Sequence, residues 1–313
     1  MAAPEQVLVV SGARQALYLC ARALLDPGDK IWCEDPGYAA ARAAFRLAGA
    51  HVVAVCVGED GIDVDAGQRA APDARAACVT PSHQFPTGVV MPLARRLQLL
   101  EWAARQGAWI LEDDYDSEFC HDGRPLPALQ GIDDDRSVVY IGTLNKITYR
   151  GLRLGYLVPP RPVLGAFAAA AAALSLTPSL VVQAAAADFI AEGQLAQHIT
   201  RARAAYQERR QLLTSEIARH LADDIALPST PRGMHLLATL RHAPAEEVAA
   251  RGTARHMHLR ELSSYAISDV GANSLVIGYT HLRPGQIETA VQDLSLILKE
   301  ASRALPQTAA GAK

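Results

Sequence analysis

The strongest constraint on the fold is the alternation, across the first 160 residues, of short apolar runs with helix-period segments. Val7-Leu8-Val9-Val10 leads through Ser11-Gly12 into a helix reaching Leu25, where Asp26-Pro27-Gly28-Asp29 stops it. Lys30–Glu34 reads as the next strand, followed by Asp35-Pro36-Gly37-Tyr38 and a helix to Leu47. Further strands are expected at His51–Val57, Ala76–Thr80, Ala108–Glu112, Ser137–Ile141 and Leu154–Val158, with a helix over Leu93–Gln106. Strands separated by helices are the signature of βαβ units and a largely parallel sheet, hence of an α/β fold.

The later chain reads differently. From Gln183 to Leu221 the pattern is helical and charged, which suits a long helix joining two lobes, with Arg201, Arg203, Arg209 and Arg210 on its solvated face or, as the lesser alternative, at an interface. Strands at Met234–Leu240 and Ser274–Tyr279, with helices at Glu246–His258 and Pro284–Ala301, describe a small α+β lobe. The expected organisation is therefore a large lobe over 1–185, a linking helix over 186–220, a small lobe over 221–305 and a frayed tail over 306–313. A length of 313 residues accommodates both lobes with sizeable cores.

Composition narrows the function. A net charge of -3 gives no reason to expect nucleic-acid binding by these residues. The alanine-rich run Gly165–Leu174 is too short for a membrane span and is flanked by Pro162 and Pro178, and no segment resembles a signal peptide. Cys20, Cys33, Cys56, Cys78 and Cys120 are odd in number and without close pairs. They read as buried thiols in a reducing cytoplasm, not as a disulfide framework or zinc site. His256 and His258 could reach a metal from one strand face, but scattered surface histidines are the commoner outcome.

Of thirty basic residues only four are lysines, and Lys146 is the only one between Lys30 and Lys299. It follows the strand-like run Val138-Val139-Tyr140-Ile141, in Gly142-Thr143-Leu144-Asn145-Lys146. A solvated lysine would also suit a strand end. An amine, unlike a guanidinium, can lose its proton when its surroundings lower its pKa, and Schiff-base chemistry requires that. A second motif, Glu112-Asp113-Asp114-Tyr115-Asp116-Ser117-Glu118, follows the apolar Ala108-Trp109-Ile110-Leu111 at a strand's carboxyl end, where α/β sheets bind ligands. Three readings of it stay open: a Mg²⁺ or Ca²⁺ site, a carboxylate facing a cationic ring nitrogen beside a phenol, or a solvated acidic loop. Ser11-Gly12-Ala13 lies at a strand-to-helix junction, where free N–H groups favour a phosphate. Arg153 adds a second candidate phosphate ligand, and no dinucleotide or P-loop motif is present. A phosphate site, a carboxylate and a lone lysine together describe a pocket for pyridoxal 5′-phosphate (PLP).

Five ordered blocks carry a resemblance. Ser11–Leu17, Glu34-Asp35-Pro36-Gly37-Tyr38, Pro81-Ser82-His83-Gln84-Phe85-Pro86-Thr87-Gly88, the acidic run and the Lys146 segment are similar to fold-type I PLP-dependent aminotransferases of class I/II. More narrowly they resemble the aminotransferase-like domain of MocR-type regulators in the GntR superfamily. The resemblance implies a large mixed-sheet lobe and a small α+β lobe. It assigns Lys146 to the internal aldimine, Asp113 to the pyridinium nitrogen, Tyr115 to the ring 3′-oxygen and Tyr38 to the ring face. Ser11, Gly12, Ala13, Thr143 and Arg153 would hold the phosphate, and His83 would stand at the pocket wall.

The resemblance further implies a homodimer, an amine or amino acid as small-molecule partner, and DNA contact only through a winged helix-turn-helix that would precede these residues. A free-standing aminotransferase is the competing expectation. Two residues depart from the aminotransferase pattern, and the first of them is shared with MocR-type regulators. Phe85 stands where aminotransferases usually carry an Asn that bonds the 3′-oxygen, and Asn145 stands where a Ser usually precedes the lysine. The arginine that usually clamps the substrate carboxylate would fall at Val276, or at His281 in an amine-sensing relative. Arg283 is the nearest substitute along the chain, so transamination is expected to be weak.

Overall fold

The computed structural model describes residues 3–120, 127–134, 136–228, 232–269 and 273–303. The expected tail from Pro306 lies outside these described residues. In chain order the first elements are β1 (Leu8–Val10), α1 (Ala13–Leu24), β2 (Lys30–Asp35), α2 (Ala39–Leu47), β3 (His51–Gly58), β4 (Gly61–Ile62), α3 (Val64–Ala70) and β5 (Ala76–Val79). Then follow α4 (Leu93–Gln106), β6 (Trp109–Asp114), α5 (Leu129–Asp133), β7 (Val138–Thr143), β8 (Gly155–Val158), α6 (Leu164–Ala173), α7 (Leu180–Ala191) and α8 (Gln194–His220). The chain continues through β9 (Ile225–Ala226), β10 (His235–Leu240), α9 (Ala245–Ala254), β11 (Arg260–Glu261), β12 (Ser274–Gly278) and α10 (Pro284–Arg303).

Eight strands form one sheet in the order β1-β8-β7-β6-β5-β2-β3-β4. Neighbours from β3 across β2, β5 and β6 to β7 are parallel, as βαβ alternation requires. β8 runs antiparallel to both β7 and β1, and β4 antiparallel to β3, so the sheet is mixed. Both faces are covered. Leu17, Leu19, Phe45, Leu111, Val139 and Ile141 pack on the α1–α2 side, while Trp32, Leu99, Trp102, Ile110 and Val138 pack on the α3–α4 side. Burial on two faces explains why these strands read as continuous apolar runs without polar alternation.

β11-β12-β10-β9 form a second, antiparallel sheet with its own core. Leu236, Ala238 and Leu240 of β10 pack there against Ile287, Val291, Leu294 and Ile297 of α10 and against Leu213 and Ile217 of α8. By the two-residue period of a strand, His235 points to the other face, where its Nε2 lies 3.1 Å from the Pro86 carbonyl of the large lobe.

Four expectations need correction. The helical stretch from Gln183 is two helices, because Gly193 takes a left-handed conformation at φ 73° between α7 and α8. Arg209 is half-buried and donates to the Thr280 carbonyl, while Arg203 stays exposed yet its Nε donates to the Glu118 carbonyl, so α8 is fastened to both lobes. α9 ends at Ala254 and His256 turns back at φ 60°, so His256 and His258 flank a turn instead of sharing a strand. Cys20, Cys33 and Cys78 are buried thiols, whereas Cys56 is exposed. No helix among the described residues is long and apolar enough to cross a membrane.

The lobes meet at a clamp behind the Pro36–Tyr38 turn. Asp35 accepts hydrogen bonds from the backbone N–H groups of Ile267 (2.7 Å) and Ser268 (2.9 Å) and from the Ser268 hydroxyl, with Arg42 3.6 Å away. Arg42 Nη1 and the Gly37 N–H both donate to the Tyr265 carbonyl, at 2.8 and 3.0 Å. The segment after β11 is thereby pinned over the carboxyl ends of the large sheet's strands.

Candidate cofactor site

Sheet geometry assigns the acidic run its roles. On β6 alternate residues face opposite ways, so Glu112 and Asp114 point to one side and Asp113 to the other. Glu112 is used by its own face, accepting from the N–H groups of Leu129 (2.9 Å) and Gln130 (3.1 Å) beside the buried Arg96. Asp114 accepts from the Tyr140 and Ser117 hydroxyls, both at 2.7 Å. Asp113 differs, because its Oδ1 is buried without a hydrogen-bond partner. Burial pushes its carboxyl up to about 7, with Asp114 and Glu34 adding to the rise and Lys146 opposing it. A buried oxygen without a donor costs free energy, and a cationic N–H placed against it would recover that cost. Alternation along β6 sets Asp113 on the opposite face from Asp114, and no group of three metal-ligating side chains occurs among the described residues.

Lys146 lies just beyond β7, next to β6, with its Nζ 6.0 Å from the centre of the Tyr115 ring. Protein crowds the amine although the side chain keeps one side open to solvent. Loss of water lowers its pKa below the ordinary value, Asp116 pulls it back up, Arg150 lowers it and Asp113 raises it. The open side limits the size of that fall. The direction still favours a neutral, nucleophilic amine.

Asn145 fastens this loop. Its N–H donates to Thr143 Oγ1 (3.2 Å), and its Oδ1 accepts from the Leu154 N–H (3.1 Å). A Cβ placed on Gly12 would stand 2.7 Å from Asn145 Nδ2, and one on Gly155 would stand 2.9 Å from Gly12 Cα. Only glycines allow β8, the Lys146 loop and the start of α1 to approach so closely. Gly12 itself is at φ 102° and caps α1 without a side chain, leaving the first-turn N–H groups of the helix facing the loop. Ser11 donates its backbone N–H to Gln15 Oε1 (2.6 Å), so its hydroxyl is what it can offer to a ligand. Arg153 is exposed at φ 51° at the end of the turn Arg150–Leu152, one residue from the Leu154 N–H that Asn145 holds.

Aromatic side chains line the rest. Phe85 is the hub, edge-on to Tyr265 at 5.1 Å, to His235 at 5.4 Å and to Tyr38 and Tyr115 at 6.0 Å. Tyr38 accepts a hydrogen bond from Arg14 Nε at 3.0 Å. The Tyr115 hydroxyl is 3.0 Å from His83 Nδ1, which also lies 2.9 Å from Asp116 Oδ2. Burial pushes the Tyr115 phenol well above its ordinary pKa, and Asp116, Asp113 and Glu34 reinforce that, so it stays protonated.

The fold thus brings Ser11, Gly12, Ala13, Thr143, Lys146, Asp113, Tyr115, Tyr38 and Arg153 to neighbouring strand ends and loops. The pairing of Asp116 with His83 and the approach of His235 carry no local signal in the sequence. Nor does the sequence mark Glu34 as a loop anchor, whose carboxylate accepts from the Thr80 N–H (3.2 Å) and hydroxyl (2.6 Å) and from Gln84 Nε2 (3.1 Å). Val276 is buried in mid-strand, while His281 and Arg283 are exposed beyond it. The arginine standing directly opposite Val276 is Arg260 on β11.

The match to known proteins follows the same parts. Residues 2–294 fit the family model described as aminotransferase class I and II. The chain belongs to this family. The probable rhizopine catabolism regulatory protein MocR of Rhizobium meliloti is 38% identical over 309 residues, which make up 97% of this chain and 62% of MocR. The pyridoxine biosynthesis transcriptional regulator PdxR of Corynebacterium glutamicum is 32% identical over 285 residues, 89% of this chain and 60% of PdxR. The chain spans roughly three fifths of each, so the expected likeness to part of such regulators is borne out. Among solved structures, the alpha-aminoadipate aminotransferase LysN of Thermus thermophilus, complexed with N-(5′-phosphopyridoxyl)-L-leucine, superposes with a TM-score of 0.86 at 28% identity. That likeness covers 96% of this chain and 79% of LysN. The fold is the fold-type I architecture of PLP-dependent aminotransferases.

Proposed function

We propose that these residues form the PLP-binding, effector-sensing part of a MocR-type transcriptional regulator. The observation that carries the cofactor assignment is Asp113, whose buried oxygen lacks a donor on the same sheet edge as a lone lysine with a depressed pKa. When bound, PLP supplies an aldehyde that condenses with amines and a cationic ring that takes up electrons. Lys146 would hold it covalently, Asp113 would keep its ring nitrogen protonated, and Tyr115 would donate to its 3′-oxygen. Tyr38 would cover the ring. The N–H groups at the start of α1, with Ser11, Gly12, Ala13, Thr143 and Arg153, would receive the phosphate.

An amine or amino acid is the ligand class that displaces a lysine from such an aldehyde. Regulation needs only binding and a change of shape, and the absence of an arginine at Val276 suits that. DNA contact would belong to a separate segment, as the regulators' length beyond the matched part suggests. A homodimer fits the surface: α7 is apolar apart from Gln183 and Asp188, yet Leu180, Val181 and Ile190 are 74%, 78% and 51% exposed. The second reading, a free-standing aminotransferase, is favoured by the likeness to LysN and separated from the first by turnover.

The test is borohydride reduction of purified protein incubated with PLP, followed by peptide mapping. A reduced pyridoxyl group on Lys146, lost in Lys146→Ala, is the expected result. An adduct of equal yield in Lys146→Ala would overturn the assignment.

A further inference from the structure

We propose that His83 is a positioning residue: held by Asp116 and gripped by the small lobe, it keeps the Tyr115 hydroxyl turned toward the crevice as a hydrogen-bond donor. The inference rests on the cofactor reading above, since the phenol is placed to face the ring's oxygen.

One nitrogen serves two oxygens. His83 Nδ1 is 2.9 Å from Asp116 Oδ2 and 3.0 Å from the Tyr115 hydroxyl, and both His83 and Asp116 are buried. A carboxylate only accepts, so the proton between Nδ1 and Asp116 belongs to Nδ1. With Nδ1–H as donor, the Tyr115 oxygen can only accept from it. The phenol's own proton is then free for an atom outside the pair. Asp116 contributes a hydrogen bond as well as charge to the phenol's environment, so it stands close enough to compete for that proton. By donating to Asp116 Oδ2 and to the phenol oxygen, His83 Nδ1–H turns the phenol's proton away from the imidazole and weakens Asp116, whose Oδ1 has no other partner, as a rival acceptor.

The imidazole is held from the small lobe. A Cβ placed on Gly233, which sits at φ 76°, would collide with His83 Cε1, so backbone just before β10 presses flat on the ring. The Gly233 carbonyl accepts from the Tyr279 hydroxyl at 2.5 Å, and its N–H donates to the Phe119 carbonyl at 3.1 Å. His235 adds a ring contact at 4.9 Å while its Nε2 lies 3.1 Å from the Pro86 carbonyl. Placement of the small lobe is thereby transmitted through an imidazole to the phenol.

A double-mutant cycle on PLP affinity tests this, using His83→Leu, Tyr115→Phe and the pair. His83→Leu should weaken PLP binding about fivefold to tenfold, the worth of roughly one neutral hydrogen bond, and should add nothing in the Tyr115→Phe background. His83→Asn, whose amide can still donate to Asp116, should recover most of the affinity. Additive losses, or failure of His83→Asn to rescue while its thermal midpoint matches wild type, would overturn the role. Should His83→Leu not fold, nitrogen NMR of the wild-type imidazole decides: an Nδ1–H tautomer supports the proposal, and an Nε2–H tautomer refutes it. Absence of any reducible PLP adduct in wild type would instead sink the cofactor reading, and this inference with it.

Discussion

Asp113→Asn should act in opposite directions on the cofactor-free and the PLP-loaded protein. Burial raises the Asp113 carboxyl from 3.8 to about 7. A group whose folded pKa lies above its unfolded value adds stability below the unfolded pKa and loses it as pH rises through the folded pKa. For the cofactor-free protein the loss therefore runs from about pH 4 to about pH 7. At about 1.4 kcal/mol per pH step the full cost is about 4 kcal/mol. Asp114, Glu34 and Asp116 share the charge, which brings the expected share of Asp113 to about 2–4 kcal/mol. Asn is nearly isosteric and does not titrate, so cofactor-free Asp113→Asn should lack this loss and exceed wild type in relative stability at pH 8 compared with pH 5. With PLP bound the sign reverses, because a charge-assisted bond worth about 1.5–3 kcal/mol is removed, weakening affinity roughly 10- to 100-fold. Urea denaturation at both pH values and a PLP titration supply the two measurements. Identical pH dependence in mutant and wild type would refute the burial argument, and unchanged PLP affinity would refute the pairing.

Gly12→Ala places a side chain at φ 102° and 2.7 Å from Asn145 Nδ2, which should cost about 1–3 kcal/mol and weaken PLP binding. Full affinity in that variant would remove the phosphate cradle from the start of α1. Asp35→Ala strips the acceptor from Ile267, Ser268 and Arg42 and should cost about 3 kcal/mol by chemical denaturation. A loss under about 1 kcal/mol would show that the lobe clamp carries little stability. Transamination of common amino acids with 2-oxoglutarate should stay below about 1 s⁻¹, and faster turnover, within the usual enzyme range, would favour the aminotransferase reading.

The sequence alone determined what short windows encode. Apolar runs spaced by helix periods specified a layered α/β lobe, and Gly12, the acidic run and Lys146 were legible because each lies at or just past the carboxyl end of its own strand. Strand ends shifted by a residue or two, since the period marks the interior of an element better than its edge. Packing decided the rest. Which carboxylate of Glu112, Asp113 and Asp114 keeps a buried unpaired oxygen depends on the Leu129 N–H, Ser117 and Tyr140, which reach β6 only in the folded sheet. The contact of His235 with Pro86 spans 149 positions, and that of Asp35 with Ser268 spans 233. A buried polar atom must find a partner, but the sequence around it does not say from which element that partner comes. Periodicity is a local property of the chain, whereas satisfaction of buried charge is a property of the assembled lobes, and so the chemistry at Asp113 and Tyr115 was fixed by tertiary structure.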